Sequence, residues 1–122
     1  MKIAANDSNH LYEQARGAAA RHLMDLGCEI IAVNWPWAGG TVDIVARDGS
    51  EIVLAGVTAT TEVSAGAEPK MPPEDFEAAA SEFAGRYVEP DSGTTLRHDE
   101  LKVIISLAAG RALINHRKNV LP

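Results

Sequence analysis

Two apolar runs either side of an Asp-Gly pair, in "TVDIVARDGSEIVLAGVT", constrain this chain more than any other feature. Asp48-Gly49 carries tight-turn chemistry, so the flanking runs read as antiparallel strands, Thr41 to Arg47 and Glu51 to Thr58. Upstream, "CEIIAVNW" is short, β-branched and closed off by "PWAGG". It predicts a further strand, and the three together a meander.

Helical signals flank that meander. Leu11, Ala15, Ala19, Leu23 and Leu26 recur three and four apart, which predicts an amphipathic helix from Ser8 to Leu26. Ser8 or Asn9 is its expected N-cap and Gly27 its left-handed stop. Ala59 to Pro73 has no period and reads as a loop. Pro72 and Pro73 open a second helix, on which Phe76, Ala80, Phe83 and Tyr87 share a face and Glu74, Asp75 and Glu77 suit the dipole. After the polar break "EPDSGTTLRHDE" comes "LKVIISL", a strand, and then "RALINHRKNVLP", a last strand or a short helix. The expectation is an α+β protein with an αβββαβ core, its small mixed sheet flanked by helices, as one domain over residues 1–122.

Composition narrows the function classes. With 46% hydrophobic and 23% charged residues, the chain has the balance of a globular protein. Cys28 is the only cysteine, so no intramolecular disulfide and no cysteine-rich zinc site is expected. No apolar stretch approaches the length of a spanning helix, and a cytoplasmic protein without membrane partners is expected. A formal net charge of -6 leans against a broad nucleic-acid footprint. Arg111, Arg117 and Lys118 nevertheless make a local basic end, either a solvated edge or a contact surface.

The order of elements, with "HLMDLGCEIIAVNW", "GGTVDIVARDG" and "EIVLAGVTATT", resembles the YraN-type family of predicted bacterial endonucleases, within the restriction-endonuclease-like, Holliday-junction-resolvase-like superfamily. Leu23, Gly27, Ile30, Asn34, Trp35, Gly40, Asp43, Ala46 and Val53 fit that pattern in order, and "INHRKNVL" is similar to its ending. The resemblance implies a metal-assisted phosphodiesterase, with two carboxylates on neighbouring strands and a lysine beside the second. One intervening residue sets that carboxylate and lysine on the same sheet face, because side chains alternate with period two.

Carried over by position, most of the implied charges are missing. The helix glutamate falls on Arg16, the glutamate before the aspartate on Thr41, the strand glutamate on Gly56, the lysine on Thr58 and the following arginine on Thr60. Asp43 alone matches. It reads either as a surviving metal ligand or as a polar residue satisfied at a strand end. Groups of the missing kind are commonly worth about 10²–10³ in rate each, so efficient metal-dependent cleavage is not expected. No cofactor is expected, with Mg²⁺ only if some activity persists.

Three readings follow. The first is an inactive nuclease-fold binding or scaffold module linked to nucleic acid, with Arg16, Trp37, Thr60, Arg117 and Lys118 as candidate contacts to nucleic acid or to a partner. The second is a weak metal-dependent endonuclease using Asp43 with a displaced ligand, Glu51 or Asp48. The third is a protein-partner module or homodimer that uses Trp37 and the 59–73 loop. His22 is expected to be partly buried, His98 satisfied or exposed, Trp35 in the core, and Cys28 a small buried apolar residue. His98, Asp99 and Glu100 cannot all converge on one ion, because neighbours on a strand face opposite ways.

Overall fold

The apolar runs of the strands are divided between two helices, one on each face of a five-stranded sheet. A computed structural model describes residues 5–61, 71–106 and 108–120. The elements run α1 (Ala5–Asp25), β1 (Glu29–Trp37), β2 (Gly40–Asp48), β3 (Glu51–Thr61), α2 (Pro73–Tyr87), β4 (Thr95–Ser106) and β5 (Arg111–Arg117). The strands lie in the order β1-β2-β3-β4-β5. All neighbours are antiparallel except β3 and β4, which are parallel and joined through α2. The expected αβββαβ core is present, and the tail supplies a fifth strand.

Alternation along β3 allocates the core. Val53, Ala55 and Val57 turn to α1 and pack with Ala15, Ala19 and Leu23. Ile52 and Leu54 turn to α2 and meet Phe76, Ala79, Phe83 and Trp35. Period-two strands between two apolar helix faces can bury both sides of the sheet, which is why β3 is nearly all apolar. Each large aliphatic side chain fully buried in this way contributes about 1.5–3 kcal/mol. Alanines on α1 let its backbone sit close to the sheet.

Helix α1 starts at Ala5, ahead of the caps expected at Ser8 or Asn9, which fall inside it. Its other end is as expected: Gly27 has φ 95°, and the Cys28 N–H bonds the Leu23 carbonyl at 2.9 Å. Leu26 lies beyond the last turn and is 50% exposed, so the apolar face ends at Leu23.

Two predicted loops are shorter than expected. Ala59, Thr60 and Thr61 belong to β3, because β4 runs beside them, pairing Thr60 with Ile104 and Thr61 with Ile105. The rest of that loop, 62–70, lies outside the described residues. On the other side, β4 begins at Thr95, inside the polar break. Arg97, His98 and Asp99 are all buried there.

Arg97 and Asp99 enter the sheet interior because they satisfy each other. The Arg97 guanidinium donates to Asp99 through Nε (2.8 Å) and Nη2 (2.9 Å), and through Nη1 to Asp48 (3.0 Å) and Glu51 (2.8 Å). Asp99 also accepts the backbone N–H of Asn119 at 3.0 Å. Asn119 reaches it from a left-handed conformation, φ 50°, which asparagine tolerates better than most residues. Burial alone would push the Asp99 carboxyl up, but the bonds from Arg97, Asn119 and His116 outweigh it and hold the carboxyl below the usual carboxylate range. Removing one partner of such a buried pair leaves the other charge uncompensated. Arg97→Met is therefore expected to lower unfolding stability by about 3–5 kcal/mol, read from urea denaturation at neutral pH.

Candidate functional site around Asp43

Asp43 sits where regular alternation fails in two strands at once. Val42 packs with the α2 cluster and Ile44 with the α1 cluster, although residues two apart on a regular strand share a face. The same break occurs opposite. Val33 pairs with Ile44 and Trp35 with Val42, and Asn34 between them has φ 53°. The β2–β3 ladder ends at Ile44–Ala55. Just past that point Asp43 Oδ2 accepts the N–H of Val57 at 2.7 Å, so a side chain takes over from the backbone where the strands part.

Helix α1 closes the arrangement. The Tyr12 hydroxyl donates to Asp43 Oδ1 and also lies 3.3 Å from Asn34 Oδ1, tying the helix to both irregular positions. Burial, followed by the bond to Asp43, pushes the Tyr12 hydroxyl well above the ordinary tyrosine value, so Tyr12 acts as a donor and not as a nucleophile. The Arg16 guanidinium lies 5.5 Å from the centroid of the Tyr12 ring, within cation–π range. Arg16, Tyr12 and Asp43 therefore form one chain of contacts. Tyr12 was missed in the sequence, where its spacing from Asp43 carries no signal. A hydrogen bond to a charged acceptor contributes about 1.5–3 kcal/mol. Tyr12→Phe is expected to lose about that much, read by thermal and urea unfolding, with Arg16→Ala losing less.

The remaining expected site residues are spread out. Gly56, Thr58 and Thr60 alternate with Val53, Ala55 and Val57, so they belong to the α2 side of β3, away from Tyr12. A Cβ added at Gly56 would meet no atom within 4 Å, so crowding does not impose glycine there. Thr60 is buried, with its hydroxyl 3.3 Å from the Thr61 carbonyl. Thr41 is exposed at the start of β2. Trp37 is partly buried against the α2 cluster and folded over its own turn: a Cβ at Gly39 would come within 2.4 Å of the indole. Arg117 is exposed and lies 3.6 Å from Glu100, and Lys118 follows it, also exposed. Asp48 and Glu51, the expected displaced ligands, are held by Arg97.

Register brings out Glu100, weighed in the sequence only beside His98 and Asp99, together with Lys102, which the sequence did not single out. On the parallel neighbour β4, Glu100 pairs with Gly56 and Lys102 with Thr58. Registered partners in a parallel pair lie on the same face, so a carboxylate and a lysine one residue apart stand one strand over from the positions where the resemblance places such a pair. The spacing was visible in "ELK", but only the pairing gives it meaning.

His98 shares that face and departs from expectation. It is 2% exposed, and among the described residues neither ring nitrogen has a hydrogen-bond partner. Its ring stacks on Phe76 at 4.9 Å and, with Glu100, Arg117 and Val120, lines a cavity of about 390 Å³. Burial pushes its pKa down, partly opposed by Glu100 and Asp99. The neutral form is thus favoured in the fold, and this stability is present above the ordinary histidine value of about 6.5 and lost as pH falls through the lower folded value. His98→Phe keeps the stack on Phe76. It is expected to flatten the loss of stability below pH ~6.5 by up to about 1.4 kcal/mol per pH unit, measured by urea denaturation between about pH 7.5 and 5.

As a place for a hard divalent cation, the Asp43 neighbourhood fits poorly. Both carboxylate oxygens already accept hydrogen bonds, and Gly56 and Thr58 offer neither a carboxylate nor an ammonium group.

Comparison with known proteins gives the chain its relatives. No family model matches it. It is 30% identical over 117 residues to a UPF0102 protein of Porphyromonas gingivalis, covering 95% of this chain and 87% of the relative. It is 31% identical over 113 residues to a UPF0102 protein of Parafrankia sp., covering 91% and 95%, and 27% identical over 115 residues to one from Nocardioides sp., covering 88% and 92%. Similarity of this extent, over most of both chains, means that the chain belongs to the UPF0102 family, the YraN family its motifs resemble.

Proposed function

We propose that this protein is a nuclease-fold binding module without efficient metal-dependent cleavage at Asp43, and that its ligand is nucleic acid. The observation that carries the reading is the engagement of Asp43. Its oxygens accept from the Tyr12 hydroxyl and the Val57 N–H, so it braces α1 against the parting of β2 and β3. A carboxylate used as a brace is a poor place to exchange ligands during turnover. Arg16, beside it on α1, puts positive charge where the resemblance has a glutamate, which suits a phosphate better than a cation.

Binding of this kind follows the counterion rule, weakening steeply as salt rises. In this reading Arg16 and Lys118 contribute phosphate contacts and no sequence selectivity.

A second reading is favoured by the register alone: cleavage displaced onto β4, with Glu100 and Lys102 taking the places empty at Gly56 and Thr58. Both side chains are partly exposed. One assay separates the two. Nicking of branched and single-stranded DNA is measured with Mg²⁺ and with Mn²⁺ for the wild type, Asp43→Ala, and the double variant Glu100→Gln with Lys102→Ala. The expected result is no cleavage above the protein-free control, with salt-sensitive binding seen by fluorescence anisotropy and weakened by Arg16→Ala. Cleavage abolished by Asp43→Ala would overturn the main reading. Cleavage that survives Asp43→Ala but is lost in the β4 double variant would establish the second.

A further inference from the structure

Away from Asp43, two histidines 94 positions apart meet on the α1 side of the sheet. His22 Nε2, near the end of α1, lies 3.1 Å from His116 Nδ1 on β5. The rings meet edge to face, with centroids 5.1 Å apart and planes at 71°. His116 is fixed from behind: its Nε2 is 2.7 Å from Oδ2 of Asp99, which is fully buried and clamped by Arg97 through both oxygens. A carboxylate so held only accepts. The Nε2 of His116 therefore carries the proton, and in the neutral ring Nδ1 presents a bare lone pair to His22.

We propose that His22 and His116 form a chelate for a divalent transition-metal ion, with Zn²⁺ as the reference ligand, joining the end of α1 to β5. Nitrogens bound at 2.0–2.1 Å around a tetrahedral zinc ion lie about 3.3 Å apart, close to the observed separation, and a turn of the two rings brings both nitrogens to bear on one ion. Without metal, His22 turns its Nε2–H to His116. With metal, His22 takes the other tautomer and both lone pairs face the ion. The carboxylate behind His116 is the support that metal-bound histidines ordinarily have, fixing tautomer and ring orientation and raising basicity.

Charge and access shape the site. Asp25, one turn beyond His22, favours a cation, and Lys118 opposes it. Among the described residues no cluster of three or more histidine, cysteine or carboxylate ligands is present, so the coordination sphere is open and water fills the remaining positions. Paired imidazoles select a borderline-soft ion over Mg²⁺, which requires oxygen ligands. The site is therefore separate in chemistry as well as in place from any Mg²⁺-dependent activity at Asp43.

Isothermal titration of the intact protein with Zn²⁺ at about pH 7.5 tests the proposal, with Mg²⁺ as the negative comparison. The expected result is one Zn²⁺ per chain, with affinity at least about 10-fold weaker in His22→Ala and in His116→Ala and unchanged in Glu77→Ala, an exposed position on α2. Loss of an outer partner typically costs 10–100-fold, which is the expected effect of Asp99→Asn where that variant folds. His22 is partly exposed on the helix surface, so His22→Ala keeps the fold and decides the matter even if the β4 and β5 variants do not. Wild-type affinity in His22→Ala, or no zinc binding by the wild type at millimolar concentration, overturns the proposal. Long-range ¹H–¹⁵N spectra give an independent reading: His116 is expected as the Nε2–H tautomer, with Nδ1 shifting on zinc addition, and an Nδ1–H tautomer in the free protein would refute it.

Discussion

The ion pair between Arg97 and Asp99 is the constraint on which the placement of β4, the β2–β3 hairpin and the tail depends. It sits inside a sheet whose interior is largely apolar, and its hydrogen bonds reach three separate parts of the chain. Asp48 and Glu51 bring in the β2–β3 hairpin, Asn119 the segment after β5, and His116 the last strand. A buried pair of this kind is weak evidence of net stabilisation, because desolvation offsets much of the attraction. Its stronger effect is on geometry, since each partner must be in place before the charges are satisfied. Register between β3 and β4 and the path of the tail are thereby specified together.

Asp43 shows the same logic on a smaller scale. Two neighbouring strands break alternation at facing positions, and the polar groups this exposes are collected by one tyrosine from the helix above. A left-handed asparagine costs conformational energy that only surrounding contacts can hold in place. In this chain the carboxylate is spent on holding the parting together.

Much of the fold was legible in the sequence because it is carried by local rules. Leu11 to Leu23 gave α1 by spacing, Asp48-Gly49 gave the hairpin by turn chemistry, and Pro72-Pro73 gave the start of α2. What was hidden depends on distant partners. Arg97 and Asp99 looked like part of a polar break because the groups that satisfy them lie on β2, β3 and β5, and no window of sequence contains them all. Thr60 and Thr61 read as loop for the same reason, being held in the sheet by β4. The site was half legible. Asp43 and Arg16 stood out by resemblance, whereas Tyr12 needed the helix docked on the sheet, Glu100 and Lys102 needed the parallel register, and the approach of His22 to His116 needed both.

The irregularities of β1 also matter for how copies of the protein behave toward one another. As an outer strand, β1 presents unpaired backbone groups beside exposed Ile31 and Val33, a combination that templates edge-to-edge association. Its register slips between Ile30 and Ala32, Asn34 is left-handed, and Pro36 has no N–H to donate. No long straight run of the edge is left for a second chain to pair with. The kink that shapes the surroundings of Asp43 therefore also acts as a guard against aggregation.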